Sequence, residues 1–358
     1  MSLFGSLYVG ASGLQTGQNA LNTTAHNLSN VDTKGYTRQQ TLLTDKNYNL
    51  LSVNPKAAAN QQTGLGVTYA DVRQVRDSFL DQKYRKESGR SAFYEVSYNT
   101  LGEVETLLGE LDGESFSESM NDLWEAVQEL AKQPASSVTQ GLLIQRASQF
   151  VEQAGNVYSA LSKYQDNLNN QIKGEVDQIN QYADRLFALN NEIIKIETGG
   201  IERANDLRDE RNQILDALGG YGNISYSEDW NGSVNVKYEG HTLVNATQVF
   251  KIGLDQNSDT GFYTPFWQGD AKKIPQENGT FRYDISNCKV FDLTREISTA
   301  CNTDIGSLKG MLVARGDHRA DYTDLQDADA YNETVSSSIL MNVQAEFDNL
   351  VHNIVTKF

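Results

Sequence analysis

The chain has 358 residues, of which 39% are hydrophobic, and its 47 acidic and 30 basic residues give a formal net charge of −17. Nucleic acids and anionic membranes bind basic surfaces, so the composition argues against both as partners. The sequence contains no apolar run of about 18 residues that could span a membrane, and no Sec-type signal peptide at its N-terminus. The length allows roughly two or three domains.

Residues 1–38 are the most informative stretch. Apolar positions recur there in steps of three and four, which places one apolar seam along a helix. Glycines within the stretch each cost a helix roughly 0.5–1 kcal/mol relative to alanine, so we expect it to be poorly helical until a partner packs against it. A helix packed on its own domain is the alternative. The predicted assembly seam is Phe4, Leu7, Ala11, Leu14, Gln18, Leu21, Ala25 and Leu28.

A polar run follows the seam at residues 27–38, where Asn, Ser, Asp and Gly favour the end of a helix and a turn. Together with the glycine-punctuated helix before it, this run resembles the N-terminal signature of the axial proteins of the bacterial flagellum, the rod, hook and hook-associated proteins. The signature turn comprises Asn27, Asn30, Asp32, Thr33, Gly35, Tyr36 and Arg38.

The next segments predict a polar connection and then three helices. Residues 39–62 have no clear period and read as mobile or extended, whereas residues 64–72 alternate like a strand. Asp77 is a candidate N-cap for a helix over residues 78–111. Its later half would face a core through Ser97, Leu101, Val104, Leu108 and Leu111. Capping-box spacings at Ser115/Glu118 and Ser137/Gln140 predict the starts of two more helices, the first ending near Pro134.

The third of these helices is the longest. It runs to Gly199 and Gly200, and a helix of about 50 residues or more spans on the order of 80 Å, which is typical of a coiled coil or an elongated bundle. Its predicted apolar stripe is Phe150, Ala154, Val157, Leu161, Tyr164, Leu168, Ile172, Val176, Ile179, Tyr182, Leu186, Leu189, Ile193 and Ile196.

The character changes after a short helix over residues 205–218. Segments 234–238, 241–244, 249–254, 262–267 and 281–285 read as short strands, residues 306–313 lead out of the β-rich region, and a last helix begins near Glu333. The predicted fold class is α+β: an elongated, mainly α-helical bundle or coiled-coil domain with an inserted β-rich domain. The predicted domains are an assembly segment at 1–38, a helical domain at 39–220 to which 314–358 return, and a β-rich insert at 221–313.

Further stretches narrow the resemblance to the flagellar hook-associated proteins at the junction of hook and filament. These are residues 66–85, 116–196, 205–211 and 306–312. The resemblance implies an extracellular structural subunit, exported without a Sec signal, whose partners are the hook protein, other copies of itself, neighbouring hook-associated proteins, and a type III export chaperone and apparatus. It also implies a C-terminal helix that pairs with the N-terminal one. No such helix follows Phe358, so we expect a truncated chain.

No catalytic set, cofactor site or metal site is predicted, and we expect no enzyme. His26, His241, His318 and His352 lack metal-ligand spacing. An acidic loop at residues 317–329 lacks the EF-hand pattern and reads as solvated. Cys288 and Cys301 form no CxxC motif, and whether they pair stays open. Aromatic residues in the β-rich region are expected to pack, with a sugar-binding face as the alternative: Trp230, Tyr238, Phe262, Trp267 and Tyr283.

Three readings therefore remain. The first is the junction subunit, assembling by coiled-coil packing of terminal helices. The second is a hook or rod subunit, although the resemblance implies that those lack the long third helix. The third, from a different class, is a secreted carbohydrate-binding module or adhesin. Enzyme function has low weight, since no nucleophile–base pair can be named.

Overall fold

The computed structural model describes residues 3–46, 49–52, 61–109, 116–200, 202–275 and 281–357. Helices dominate these residues, and the strands form small antiparallel sheets, which confirms the predicted fold class. The helices are α1 (Leu3–Ser29), α2 (Ser78–Leu108), α3 (Phe116–Lys132), α4 (Ser137–Glu197), α5 (Asn205–Tyr221), α6 (Ser307–Arg315), α7 (Ala328–Ala330) and α8 (Ile339–Lys357).

The N-terminal helix α1 packs against two antiparallel strands, β1 (Gln39–Asp45) and β4 (Val67–Gln74). A second antiparallel pair is formed by β2 (Asn49–Ser52) and β3 (Gln61–Thr63). Of the two predicted states of residues 39–62, mobile or extended, the structure shows the extended one where it describes the segment, at 39–46, 49–52 and 61–62, and pairs it into strands that were not predicted. Strand β1 could not be recognised from its polar sequence, because an exposed strand needs no alternation of apolar and polar residues.

The long helix α4 is the axis of the body. Its 61 residues correspond to a length of about 90 Å at 1.5 Å per residue. The predicted stripe is confirmed over most of its length, with Leu161, Ile172 and Leu189 fully buried. Ile196 at its end is exposed instead. The helix starts at Ser137 without the predicted capping box, since the N-cap Ser136 makes no side-chain cap bond.

Helix α2 begins as predicted, with the Asp77 carboxylate accepting from the backbone N–H groups of Phe79 and Leu80. The predicted core stripe is wrong at Leu101, which is exposed, and Leu111 and Ser115 lie outside the described residues. The face that packs inward is set by the close approach of α6 and α5 to α2. Its buried residues are Arg85, Gly89, Phe93, Thr100 and Val104.

Three helices in the second half of the chain differ from the prediction. Residues 307–315 form the buried helix α6 between α2 and α4, where a simple exit segment was expected. Helix α5 continues through Gly219 and Gly220 to Tyr221, because Gly219 packs closely on the backbone of Arg85. Helix α8 starts at Ile339, since residues 331–335 form a π-helical turn first.

The β-rich region holds a three-stranded sheet of β5 (Ile224–Glu228), β6 (Val234–Tyr238) and β7 (His241–Val244). Two hairpins follow, β8 (Ile252–Gln256) with β9 (Tyr263–Trp267), and β10 (Lys272–Pro275) with β11 (Phe281–Asp284). Side chains from the first two sheets join the hydrophobic cluster that surrounds α4. The division at 221–313 stays a prediction, with this shared core across its boundary.

Three asparagines on α4 attach this region to the helix. In each, the side-chain amide donates to a backbone carbonyl and its oxygen accepts from a backbone N–H, as a neighbouring strand would. Asn169 bonds Gly261 and Tyr263, Asn180 bonds both groups of Ile252, and Asn190 bonds both groups of Val234, at 2.8–3.1 Å. The asparagines lie 11 and 10 residues apart, close to three helical turns, so all three project from one face.

Candidate assembly interface

Helix α1 has two unlike faces. The face toward β1 and β4 carries small polar side chains, with Ser12 and Thr16 buried. The opposite face carries the predicted seam, and no described part of the chain covers it: Leu7, Leu14, Leu21 and Leu28 are 64%, 79%, 70% and 74% exposed. Ala11, Gln18 and Ala25 on the same face are also exposed, whereas the side chain of Phe4 lies outside the described residues.

The exposed seam is continuous. Leucines at intervals of seven residues advance only about 20° around a helix per heptad, so Leu7 to Leu28 form one stripe about 30 Å long. Four exposed leucines in line are unusual on the surface of a lone protein, which makes this stripe a candidate interaction surface. This surface can bury apolar area against another helix, and it offers no group for chemistry.

The inner face of α1 is attached by polar contacts. The Thr41 hydroxyl of β1 donates to the Thr23 hydroxyl at 2.9 Å. Gly66, just before β4, has φ +91° and lies so close to α1 that an added Cβ would overlap the Ser12 hydroxyl oxygen. A larger residue at position 66 would therefore have to displace the Ser12 side chain and adopt an unfavourable positive φ.

Asn27 is the central residue of the signature turn. Its Nδ2 donates to the Gln39 carbonyl at 2.8 Å, and its Oδ1 accepts from the Gln39 N–H at 2.8 Å. The Tyr36 hydroxyl donates to the same Oδ1 at 2.8 Å. These three bonds tie the end of α1, the turn and the first residue of β1 together.

The other signature residues shape the turn around Asn27. Asn30 donates to the His26 carbonyl and accepts from the Thr33 hydroxyl, and Gly35 has φ +82°, a conformation that glycine adopts without strain. The Arg38 carbonyl accepts from the Val75 N–H at 2.8 Å, closing the base of the β1–β4 pair. Asp32 is exposed.

The turn rests on the beginning of α5, a contact that sequence reasoning missed. The Asp209 carboxylate accepts from the Thr37 N–H at 3.2 Å and from Gln74 Nε2 at 2.7 Å. Asn205 Nδ2 donates to the Val72 carbonyl at 2.9 Å. Burial raises the pKa of Asp209 above its ordinary value, while the bonds from Thr37 oppose that rise. Two separate stretches that carried the resemblance, 27–38 and 205–211, are thus one structural unit.

The arginines of the same stretch face the other way and attach α5 to the body. Arg208 forms a two-bond pair with Glu197 at the end of α4, both at 2.7 Å. Arg211 is buried and donates to the Gly232 carbonyl at 2.6 Å, and both arginines bond Glu228. The hydrogen bonds from Arg208 hold the pKa of Glu197 below its ordinary value, although burial alone would raise it. Helix α5 is therefore held firmly on the side away from the turn.

The remaining candidate residues have structural surroundings. Tyr238, Phe262 and Trp267 are buried, so these three do not form a sugar-binding face, while Trp230 is 99% exposed at a hairpin tip. Cys288 is buried, Cys301 is exposed, and both are free thiols.

Two of the histidines stack on aromatic rings. His241 stacks on Trp267, and His352 stacks on Tyr322. Among the residues that the structure describes, no three His, Cys, Asp or Glu side chains are grouped to hold a metal ion. In that same part of the chain, no helix has the length and apolar character needed to cross a membrane.

Comparison with known families identifies the class. Residues 7–37, which cover most of α1 and of the turn, match the family described as flagella basal body rod protein. Residues 101–358, well over half of the chain, match the family described as flagellar hook-associated protein FlgK helical domain. The chain belongs to the flagellar hook-associated protein FlgK family, which confirms the resemblance.

Individual relatives agree. The chain is 28% identical over 366 aligned positions to flagellar hook-associated protein 1 of Bacillus subtilis, covering 99% of the chain and 68% of that protein. It is 29% identical to the protein of the same name from Salmonella typhimurium, over 69% of the chain and 44% of that protein. The chain thus spans less than half the length of the Salmonella relative that it matches.

One solved structure shares the fold. The flagellar hook junction protein FlgK from Burkholderia pseudomallei superposes with a TM-score of 0.50 at 17% identity, over 66% of this chain and 38% of that one. At this identity the likeness concerns the fold alone. It supports the helical body with its β-rich region as a family architecture.

Proposed function

We infer that this chain is a structural subunit of the bacterial flagellum that joins the hook to the filament. Relatives named hook-associated protein 1 support this role, and the exposed stripe of Leu7, Leu14, Leu21 and Leu28 carries the mechanism. Its opposite face contacts β1 and β4, so the stripe faces outward. The residues proposed for assembly are those of the predicted seam and signature turn.

The mechanism is coupled folding and docking. The seam has no cover in the described chain, so the free energy of burying it becomes available only when the terminal helix of a neighbour packs along it. The partners proposed are the hook protein, further copies of this chain and neighbouring hook-associated proteins. Export through a type III apparatus with a chaperone, and an extracellular location, follow from the resemblance. The role needs no catalysis, and we propose no enzymatic activity.

The test replaces leucines of the stripe by a charged residue in the flagellated cell that makes this protein. Leu14→Glu with Leu21→Glu would place two carboxylates in the seam, and we expect hooks without filaments and filament subunits in the medium. Gln15→Glu with Asn22→Glu is the matched control, since both positions are exposed on α1 and each lies about 100° around the helix from the leucine before it. Deletion of residues 1–38 should reproduce the leucine variant. Normal filaments from the leucine variant would contradict the proposal.

A hook or rod subunit is the second candidate, supported by the rod-family match at residues 7–37. The two candidates differ in where the protein lies along the flagellum. Gold labelling of an exposed position such as Trp230 would show one band at the end of the hook for a junction subunit, and continuous labelling along the hook for a hook subunit.

A further inference from the structure

The structure divides into an arm and a body that meet through polar contacts. The arm is residues 3–46, 49–52 and 61–75, and the body comprises the other described residues. In the part of the chain that the structure describes, the hydrophobic clusters contain body residues alone. The side chains of the arm therefore add nothing to the apolar core, and its orientation must depend on other contacts.

These contacts converge on one edge of α5. Asp209 accepts from the Thr37 N–H and the Gln74 amide, and the same amide donates to the Asn205 carbonyl at 2.9 Å. Asn205 Nδ2 completes the set by donating to the Val72 carbonyl. One residue of the turn and two of β4 are thereby held by two adjacent turns of one helix.

Neighbouring contacts flank this group. Gln213 Nε2, one turn further along α5, donates to the Lys34 carbonyl at 3.1 Å, and Gly35 packs directly on the Gln213 side chain. Arg203, just before α5, forms an ion pair with Asp71 of β4 at 2.8 Å. The Gln213 contact lies on an exposed surface and the Arg203 pair is half-exposed, so both are weaker constraints than the half-buried bonds of Asp209.

We propose that Asn205 and Asp209 form a latch that fixes the angle between the arm and the body. Hydrogen bonds depend strongly on direction, whereas apolar surfaces can slide over one another at little cost, so a polar joint defines an angle well. Both latch residues are buried, and α5 is itself anchored to the body by Arg208 and Arg211. They are positioning residues, because they act on the seam through the turn and β4.

The latch has a consequence for assembly that rests on the proposed function. The direction of the leucine stripe relative to the body is set by the arm, and in a regular assembly of identical copies every stripe must meet its neighbour at the same angle. A chain with a broken latch would keep its seam and its folded body, yet present the seam over a range of angles.

The test measures the angle directly and does not involve the flagellum. Spin labels are attached at Thr44→Cys on β1 and Lys195→Cys on α4, both exposed, in the full chain with Cys288→Ser and Cys301→Ser. Double electron–electron resonance then gives the distribution of distances between the labels. We expect a single narrow distribution, which broadens at least about twofold with Asp209→Ala, because two directional bonds are lost. Asp206→Ala is the matched control, an exposed aspartate on the same helix, and should leave the distribution narrow.

Two further variants separate positioning from loss of fold. Gln74→Ala removes two bonds from the arm side, those from the Gln74 amide to Asp209 and to the Asn205 carbonyl, without changing α5. It should also broaden the distribution, with the melting temperature of the body unchanged. Asp209→Asn keeps one acceptor oxygen and should give a distance distribution narrower than that of Asp209→Ala. A broad distribution in the parent chain, or narrow ones in both Asp209→Ala and Gln74→Ala, would overturn the latch. Neither result would test the proposed role of the leucine stripe. That role would be contradicted by normal filaments from the variant with Leu14→Glu and Leu21→Glu.

Discussion

The side chain of Asn27 bonds both backbone groups of Gln39, donating to its carbonyl and accepting from its N–H at 2.8 Å each. The pairing imitates a strand at the point where β1 begins. It joins the last turn of a helix to a strand that lies 12 residues further along the chain. The sheet is therefore aligned with α1 from its first residue.

Asn27→Ala should loosen the start of β1. It removes both bonds to Gln39 and the acceptor for the Tyr36 hydroxyl, and a typical hydrogen bond contributes about 1 kcal/mol net. We expect the Gln39 amide and its neighbours in β1 to exchange their hydrogens on the order of tenfold faster. Hydrogen exchange read by NMR measures this. Asn22→Ala, at an exposed position of the same helix, should have no effect on β1, and equal rates in the two variants would refute the role of Asn27.

The seam of α1 should be weakly protected in the free chain. Among the described residues, α1 contributes nothing to the hydrophobic clusters, and Gly10, Gly13 and Gly17 weaken the helix. We expect rapid proteolysis and fast amide exchange over residues 3–25, and protection once a partner covers the seam. Slow exchange there in the monomer would show that α1 is stable without a neighbour.

Loss of Asn190 should destabilise the attachment of the β-rich region to α4. Asn190 is 2% exposed and bonds the N–H and carbonyl of Val234, itself buried. Asn190→Ala leaves two buried backbone groups without partners, which costs about 2–4 kcal/mol of unfolding free energy. Denaturant unfolding followed by circular dichroism measures the change. Asn191→Ala removes one local bond to the Phe187 carbonyl and should cost well under about 1 kcal/mol, since that bond is partly solvated.

Glu175 should make stability fall as the pH rises toward neutrality. Burial raises the pKa of this α4 carboxyl from 4.5 to about 7, although the Ser307 hydroxyl, at 2.8 and 2.9 Å, lowers it. A folded pKa above the unfolded one favours the protonated form, so the stabilisation is complete below about pH 4.5 and is lost as the pH rises through about 7. The full change is on the order of 3 kcal/mol.

Glu175→Gln should abolish that dependence. The variant cannot ionise, so its melting temperature should exceed that of the parent chain at pH 8 and approach it at pH 5. Asp177→Asn removes an exposed carboxylate two residues away and should leave the pH profile of the parent intact. Parallel profiles for the parent and Glu175→Gln would show that burial does not shift this group.

Periodicity predicted the body far better than the joints. The buried face of α4 follows from apolar spacing alone, because a helix in a core must repeat its apolar residues every three or four positions. The seam of α1 was also predicted from the regular spacing of its apolar residues. Helix α6 was missed because almost all of its residues are buried, including Lys309 and Arg315, so it has no alternation between an apolar and a polar face.

The polar joints carried no comparable signal. Asn27, Asn169, Asn180, Asn190 and Asn205 each bond backbone groups that are at least 12 residues distant, and one asparagine in a sequence looks like another. Asp209 could be placed on a helix surface, but its contact with Thr37 depends on a turn 172 residues away. Such pairs become visible when the fold brings the two segments together.

The three asparagines of α4 form hydrogen bonds with backbone atoms, which every amino acid possesses. Strands attached in this way can change their side chains without losing these hydrogen bonds, provided that their backbone keeps its path along the helix. The outward-facing side chains and loops of the β-rich region can therefore vary in sequence while the same three asparagines keep the region attached to α4.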